Sequence, residues 1–189
     1  MTRWSPPPPR YADTLAALHT VAEHVVATAR YQAQGRIGLG PLEHGFGTPT
    51  FDGRRVEVLG VDLVVVNGID EQREPITTLR SAGTFVGIEP GMPASVYTPA
   101  TPLDLDAGLA VDPDAAAAIA SWFDLTSEAL GRLASAHSGD APGPPQLWPE
   151  HFDLALPMGD VNYGGSPGDD QHREPYLYVG PFTPRTRPR

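Results

Sequence analysis

Val61-Asp62-Leu63-Val64-Val65-Val66 is the most apolar stretch that reads as a strand, and it constrains the rest of the chain more than any other feature. Apolar residues occupy both alternating sets, so both faces of such a strand must be covered. A sheet with this strand at its centre is therefore expected. Asn67-Gly68 ends the run, and Asp52-Gly53 is a turn signal leading into a second strand, Arg55-Val56-Glu57-Val58-Leu59. A third short strand is expected at Arg36-Ile37-Gly38-Leu39. Strand grammar returns late in the chain. Phe152, Leu154 and Leu156 alternate, followed by Val161 and Tyr163 and then by Tyr176 to Val179.

Three helices are expected beside these strands. Leu15, Leu18, Ala22, Val25 and Ala29 follow a three-four spacing, which makes an amphipathic helix opening at Asp13 or Thr14 and ending before Gly35. On that helix His24 should face water and His19 should flank the apolar stripe. Pro75 suits the first turn of a short helix carrying Ile76, Leu79, Ala82 and Val86, with Gly87 as its stop. The competing assignment there is a strand, because Thr77, Thr78, Thr84, Phe85 and Val86 favour extended backbone. Residues 88–111 have little period and read as a long loop. Asp112-Pro113 sets a capping carboxylate before a proline, opening a helix with Ile119, Trp122, Phe123, Leu130 and Leu133 on one face and a break near Asp124-Leu125.

Short turns between successive strands imply antiparallel pairing. The expected fold is α+β: a mostly antiparallel sheet of about six short strands with three helices packed on one face. At 189 residues the chain suits a single domain, here 11–181, between a flexible proline-rich arm at 1–10 and a flexible Arg/Pro tail at 182–189.

Composition excludes several chemistries. All 13 basic residues are arginine, so no amine is present for lysine-linked pyridoxal phosphate or for a Walker loop. Without cysteine there is no thiolate zinc site, no cysteine-bound Fe-S cluster and no disulfide. A net charge of −10 repels phosphate backbones, which argues against nucleic acid as a partner. No apolar run is long enough to span a bilayer, and the N-terminus lacks the apolar core of a secretory signal. The cytoplasm is the expected location.

Three motif matches fail on mechanism. Gly164-Gly165-Ser166-Pro167-Gly168 has the spacing of a serine-hydrolase elbow, but Pro167 stands where a backbone N–H must feed the oxyanion hole. Gly38-Leu39-Gly40-Pro41-Leu42-Glu43 begins like a dinucleotide loop and ends with Glu43 in place of the last glycine. His19 and His24 are five residues apart, about 140° around an α-helix at ~100° per residue, too far to share a metal.

One polar cluster survives. If residues 151–156 form a strand, period two sends His151 and Asp153 together to the side opposite Phe152, Leu154 and Leu156. The turn Asp169-Asp170-Gln171-His172-Arg173-Glu174 then leads into Pro175-Tyr176-Leu177-Tyr178. One reading makes His151, oriented by Asp153, a catalytic base, in a pocket for a small organic ligand lined by Tyr163, Tyr176, Tyr178 and His44. A second makes His151, Asp153, Asp169, His172 and Glu174 the ligand set of a metal- or histidine-dependent enzyme. The competing structural reading is a solvated strand face and a solvated turn. An interaction protein using its proline arm or arginine tail is a further alternative.

Trp148-Pro149-Glu150-His151-Phe152-Asp153-Leu154-Ala155 resembles the aromatic-x-x-Phe-Asp-Leu-Ala strand of a domain-of-unknown-function family of high-G+C bacteria. The Ser166-Pro167-Gly168 turn and the Pro175-Tyr176-Leu177-Tyr178 strand are similar to that family's proline-glycine turn and closing aromatic strand. The resemblance implies an architecture and no activity.

Overall fold

A computed structural model describes residues 6–182, so residues 1–5 of the expected arm and 183–189 of the expected tail lie outside the described residues. The first helical body runs without Pro or Gly as α1 (Tyr11–Val21), a π-helical turn (Ala22–Ala27) and α2 (Thr28–Gln34). Gly35 ends it at a φ of 66°, a left-handed conformation that only glycine adopts without strain. A short helix, α3 (Leu79–Val86), begins at a capping box in which the Thr78 hydroxyl accepts from the Ser81 amide. The last, α4 (Pro113–Ala136), begins where the Asp112 carboxylate accepts from the Asp114 and Ala115 amides. It is one continuous helix, without the break expected near Asp124.

The α+β class holds, but the single six-stranded sheet does not. Nine strands, among the described residues, form two antiparallel sheets. The first contains β1 (Gly40–Leu42), β2 (Gly45–Gly47), β3 (Arg54–Leu59), β4 (Asp62–Asn67) and β5 (Asp70–Pro75), in that order. The second contains β6 (Gln146–Trp148), β7 (Asp153–Met158), β8 (Val161–Ser166) and β9 (Tyr176–Pro181), also in chain order. One bridge links them: Leu39 and Leu147 exchange backbone hydrogen bonds of 2.8 and 2.9 Å. Helix α4 packs on β1 and β2 of one sheet and on β7 and β8 of the other, so the helices do not share one face of one sheet.

The apolar run behaves as its composition demands. Leu63, Val64, Val65 and Val66 of β4 are all buried. Leu63 and Val65 join the core, while Val64 lies between Glu57 and Arg73, and Val66 between Arg55 and Glu71, on the opposite face. Ion pairs Arg55–Glu57 and Arg73–Glu71 hold that charged ladder, whose aliphatic stems flank the valines. The strand is next to an edge rather than central, because the fully exposed Asp70–Pro75 forms β5 beyond it. With charge on both faces, β5 has no hydrophobic period to reveal it. Pro75 accordingly ends a strand instead of opening α3.

Residues 149–152 make a turn before β7 begins, and Phe152 adopts a φ of 50°. This left-handed geometry is costly for a bulky residue and persists only where its surroundings enforce it. The Phe152 ring stacks on His19 of α1 at 5.4 Å and meets Phe46 of β2 and Phe123 of α4 edge to face at 5.2 and 5.3 Å. One side chain thereby joins the N-terminal helix, both sheets and α4. Phe152→Ala should lower unfolding free energy by about 3–5 kcal/mol in urea titrations, the range for a large buried aromatic.

Candidate functional site

The turn that inserts Phe152 also decides where the neighbouring polar side chains go. His151 falls in the turn and is exposed, whereas Asp153 opens β7 and is buried. They do not share a strand face, because the strand begins one residue after the left-handed turn. The Asp153 Oδ2 accepts a hydrogen bond from the Tyr178 hydroxyl, two strands away across β8. Gly164 makes this reach possible: a Cβ there would lie 2.4 Å from the Tyr178 ring. Asp153 Oδ1 is shielded and has no hydrogen-bond partner among the described residues.

The other expected site residues disperse. Tyr163 pairs with Val179 and Tyr178 with Gly164, so by strand alternation Tyr163 lies on the face opposite Tyr176 and Tyr178. His44 belongs to the first sheet's β1–β2 turn, with its side chain 80% exposed beside Glu43. Among the described residues Tyr163, Tyr176, Tyr178 and His44 therefore do not line one common pocket. Asp169 closes its own turn, accepting from the Gln171 and His172 amides at 2.7 Å and from the Tyr176 hydroxyl. His172 lies beside it, exposed, while Glu174 borders an open groove with Pro6, Pro7 and Pro8. Among the described residues no three His, Asp or Glu side chains converge as a metal site, so the five-residue ligand set does not assemble.

A different polar cluster forms around the π-helical turn. This turn widens the helix and changes which carbonyls are used. The Thr28 hydroxyl donates to the Glu23 carbonyl five residues earlier, at 2.9 Å, and the Gly91 amide donates to the His24 carbonyl at 3.0 Å. Glu23 is wholly buried. Its carboxylate accepts from the Ala100 amide (3.0 Å), the Thr101 amide (2.8 Å) and the Thr101 hydroxyl (2.6 Å). A buried carboxylate without such donors would be very costly. The loop at 88–111 is thereby strapped over the helix.

Two imidazoles extend the cluster. His24, expected to face water, is 1% exposed; an α-helical period does not carry through the widened turn. Its Nε2 lies 3.1 Å from the Thr101 carbonyl, and its Nδ1 is buried without a partner among the described residues. His19 Nε2 lies 2.9 Å from the Pro149 carbonyl and 3.8 Å from Glu23. Carbonyl oxygens only accept, so Nε2 carries the hydrogen in both rings. Burial pushes the His19 imidazole below its ordinary value, against the opposing pull of Glu23.

Two more side chains close on this region. The Tyr97 hydroxyl, from the strap, and Glu150 Oε2, from the 149–152 turn, are both shielded and lack partners among the described residues. Burial raises Tyr97 strongly, and the charges of Glu23 and Glu150 add to it. Burial likewise raises Glu150, opposed by a hydrogen bond from its own backbone amide and by His151 and reinforced by Asp153 and Glu23. Asp153 is raised by burial, although the Tyr178 hydrogen bond pulls the other way. These couplings tie Glu23, Tyr97, Glu150 and Asp153 into one electrostatic neighbourhood drawn from four parts of the chain. Tyr97 and Thr101 left no trace in the sequence, since they lie in an aperiodic loop. A faint signal was available at Glu23, an acidic residue within a Val/Ala-rich helix.

Glu23→Ala strands two amides and should cost about 3 kcal/mol of stability, with Glu23→Gln losing less; urea unfolding of both variants reads the difference. The pH dependence has a defined sign. The folded chain holds the Glu150 proton more tightly than the unfolded chain, so this group's contribution is greatest below 4.5 and declines as pH rises through the raised value. His19 acts oppositely: its contribution is present above 6.5 and is lost as pH falls through the lowered value. Glu150→Gln should therefore flatten the stability profile above pH 4.5, measured by thermal unfolding across pH. No family model, no curated protein and no solved structure matches this chain.

Proposed function

We propose that this protein binds a small organic ligand rich in hydrogen-bond donors, an amine or a polyol, at the cluster of Tyr97, Glu150 and Asp153. One observation carries the reading. The Tyr97 hydroxyl, Glu150 Oε2 and Asp153 Oδ1 are shielded from solvent and unpartnered among the described residues, while the adjoining Glu23 carboxylate is fully supplied with donors. Each such orphan costs about 1–3 kcal/mol, which a ligand can recover by supplying the missing partner. Two of the three are carboxyl oxygens. The charged groups that act on Glu150 and Asp153 are acidic or histidine side chains, with no arginine among them, so the chemistry selects donors and rejects anions.

Thermal unfolding against a panel of small amines and polyols tests this reading. A ligand present at 100 times its Kd stabilises by about 2.7 kcal/mol, roughly 5–10 °C for a domain of this size. Tyr97→Phe and Glu150→Gln should abolish the shift. A shift of equal size in both variants would place the ligand elsewhere, and no shift with any donor-rich compound would end the proposal.

A second reading, acid–base chemistry on the same ligand, is favoured by the placement of His19, whose Nε2 lies 2.9 Å from the carbonyl of Pro149, the residue before Glu150, together with the opposite displacements of the two groups. Burial raises one and lowers the other, bringing a carboxyl and an imidazole toward each other in affinity for protons. The stabilising ligand would then be converted to product, followed by NMR. His19→Asn should remove turnover while leaving the thermal shift in place.

A further inference from the structure

On the Asp153 face of the second sheet, one aromatic ring crosses a strand that has no side chain in its way. The register places Ala155, Gly164 and Tyr178 in one row across β7, β8 and β9. One step beyond the Leu154–Gly165 pair, Asp153 falls level with Ser166, which pairs with Tyr176. The hydroxyls of that nearer row are committed to the following turn. Ser166 Oγ accepts from the Gly168 amide at 3.1 Å, and the Tyr176 hydroxyl donates to Asp169. Tyr178, one row further along, leans across Gly164, where a Cβ would stand 2.4 Å from its Cζ and 2.5 Å from its hydroxyl oxygen. Over that bare glycine its hydroxyl reaches Asp153 Oδ2.

We infer that Tyr178 is a positioning residue that selects the class of ligand, an inference that rests on the ligand reading proposed above. It fixes Asp153 by Oδ2, leaves Oδ1 to the ligand and so commits the site to a protonated amine over a neutral polyol.

The charge balance around Asp153 supplies the selection. The side chain is 7% exposed. A carboxylate that accepts from a neutral hydroxyl gains a hydrogen bond and no counter-charge, and a buried carboxylate needs both. The groups facing it are Tyr178 and Tyr176 of β9, Ser166 of β8, and Glu150 and His151 of the turn. Of these only His151 can be cationic, and it is exposed, where water screens it. Burial raises Asp153, while the Tyr178 bond, His151 and the Asp153 backbone amide oppose the rise and favour the ionised form. An ammonium brings Oδ1 a donor and the missing positive charge together. A hydroxyl brings the donor alone.

Two measurements test the assignment. The first needs no ligand: the carboxyl carbon resonance of Asp153, assigned by its loss in Asp153→Asn, is followed by NMR as pH is varied. Tyr178→Phe should move its midpoint upward, because the ionised form loses a donor. Tyr178 is half-buried and the change removes one oxygen, so the far-ultraviolet circular dichroism should match the parent. Gly164→Ala keeps the hydroxyl but displaces the ring, and should move the midpoint the same way. An unmoved midpoint in Tyr178→Phe overturns the positioning role, and one in Gly164→Ala overturns the passage over Gly164.

The second measurement is calorimetric titration at neutral pH with amines and alcohols of matched skeleton, n-butylamine with 1-butanol and ethanolamine with ethylene glycol. Each amine should bind at least about tenfold more tightly than its alcohol, a preference that Tyr178→Phe should reduce to less than about threefold. A preference unchanged in that variant overturns Tyr178 as its source. An alcohol that binds as well as its amine overturns the selection and leaves the donor-rich reading standing. Binding of neither class ends that reading and this inference together.

Discussion

The Phe152 ring is the junction on which the layers depend. It touches His19, Phe46 and Phe123, which belong to the N-terminal helix, the first sheet and α4, and its own backbone leads directly into the second sheet. Among the described residues only the Leu39–Leu147 bridge connects the two sheets through backbone hydrogen bonds, so side-chain packing must hold them in register. The left-handed backbone at Phe152 is the local cost of aiming that ring inward. The same rotation separates His151 from Asp153. A packing requirement therefore decides which polar side chains can act together.

The polar cluster depends on a second departure from regular geometry. At the π-helical turn two carbonyls accept hydrogen bonds from outside the backbone ladder, from the Thr28 hydroxyl and the Gly91 amide. The Glu23 carboxylate then organises the Ala100–Thr101 backbone. The two features support each other. The buried carboxylate needs the strap's amides, and the aperiodic strap has no regular secondary structure to hold it over the helix. Tyr97 is held in this region by the same arrangement, and its burial, reinforced by the Glu23 and Glu150 charges, accounts for its strong reluctance to ionise.

Much of the architecture was legible in local chemistry. Asp112-Pro113 opens α4, Gly87 stops α3 and Gly35 stops α2, each for the capping reason that its residue type implies. The sheet was legible only where its strands alternate or are fully apolar. β5 is charged on both faces, so it offers no period even though it pairs along its whole length with β4. The site was less legible still. Asp153 and Tyr178 were readable as polar residues near one another in strand order, and they do meet, but through the gap left by Gly164 rather than around a cavity.

The sequence by itself determined the α+β class, the helix stops at Gly35 and Gly87, the start of α4 at Asp112-Pro113 and the burial of Leu63–Val66, because these follow from residue type and spacing along a short stretch of chain. Tertiary structure alone decided that the strands divide into two sheets, that the helix widens at Glu23 and that Phe152 turns inward. Each of these depends on contacts between residues far apart in the chain, such as Glu23 with Thr101 and Phe152 with Phe46. No local pattern records a hydrogen bond or a ring contact that forms only after the layers have assembled.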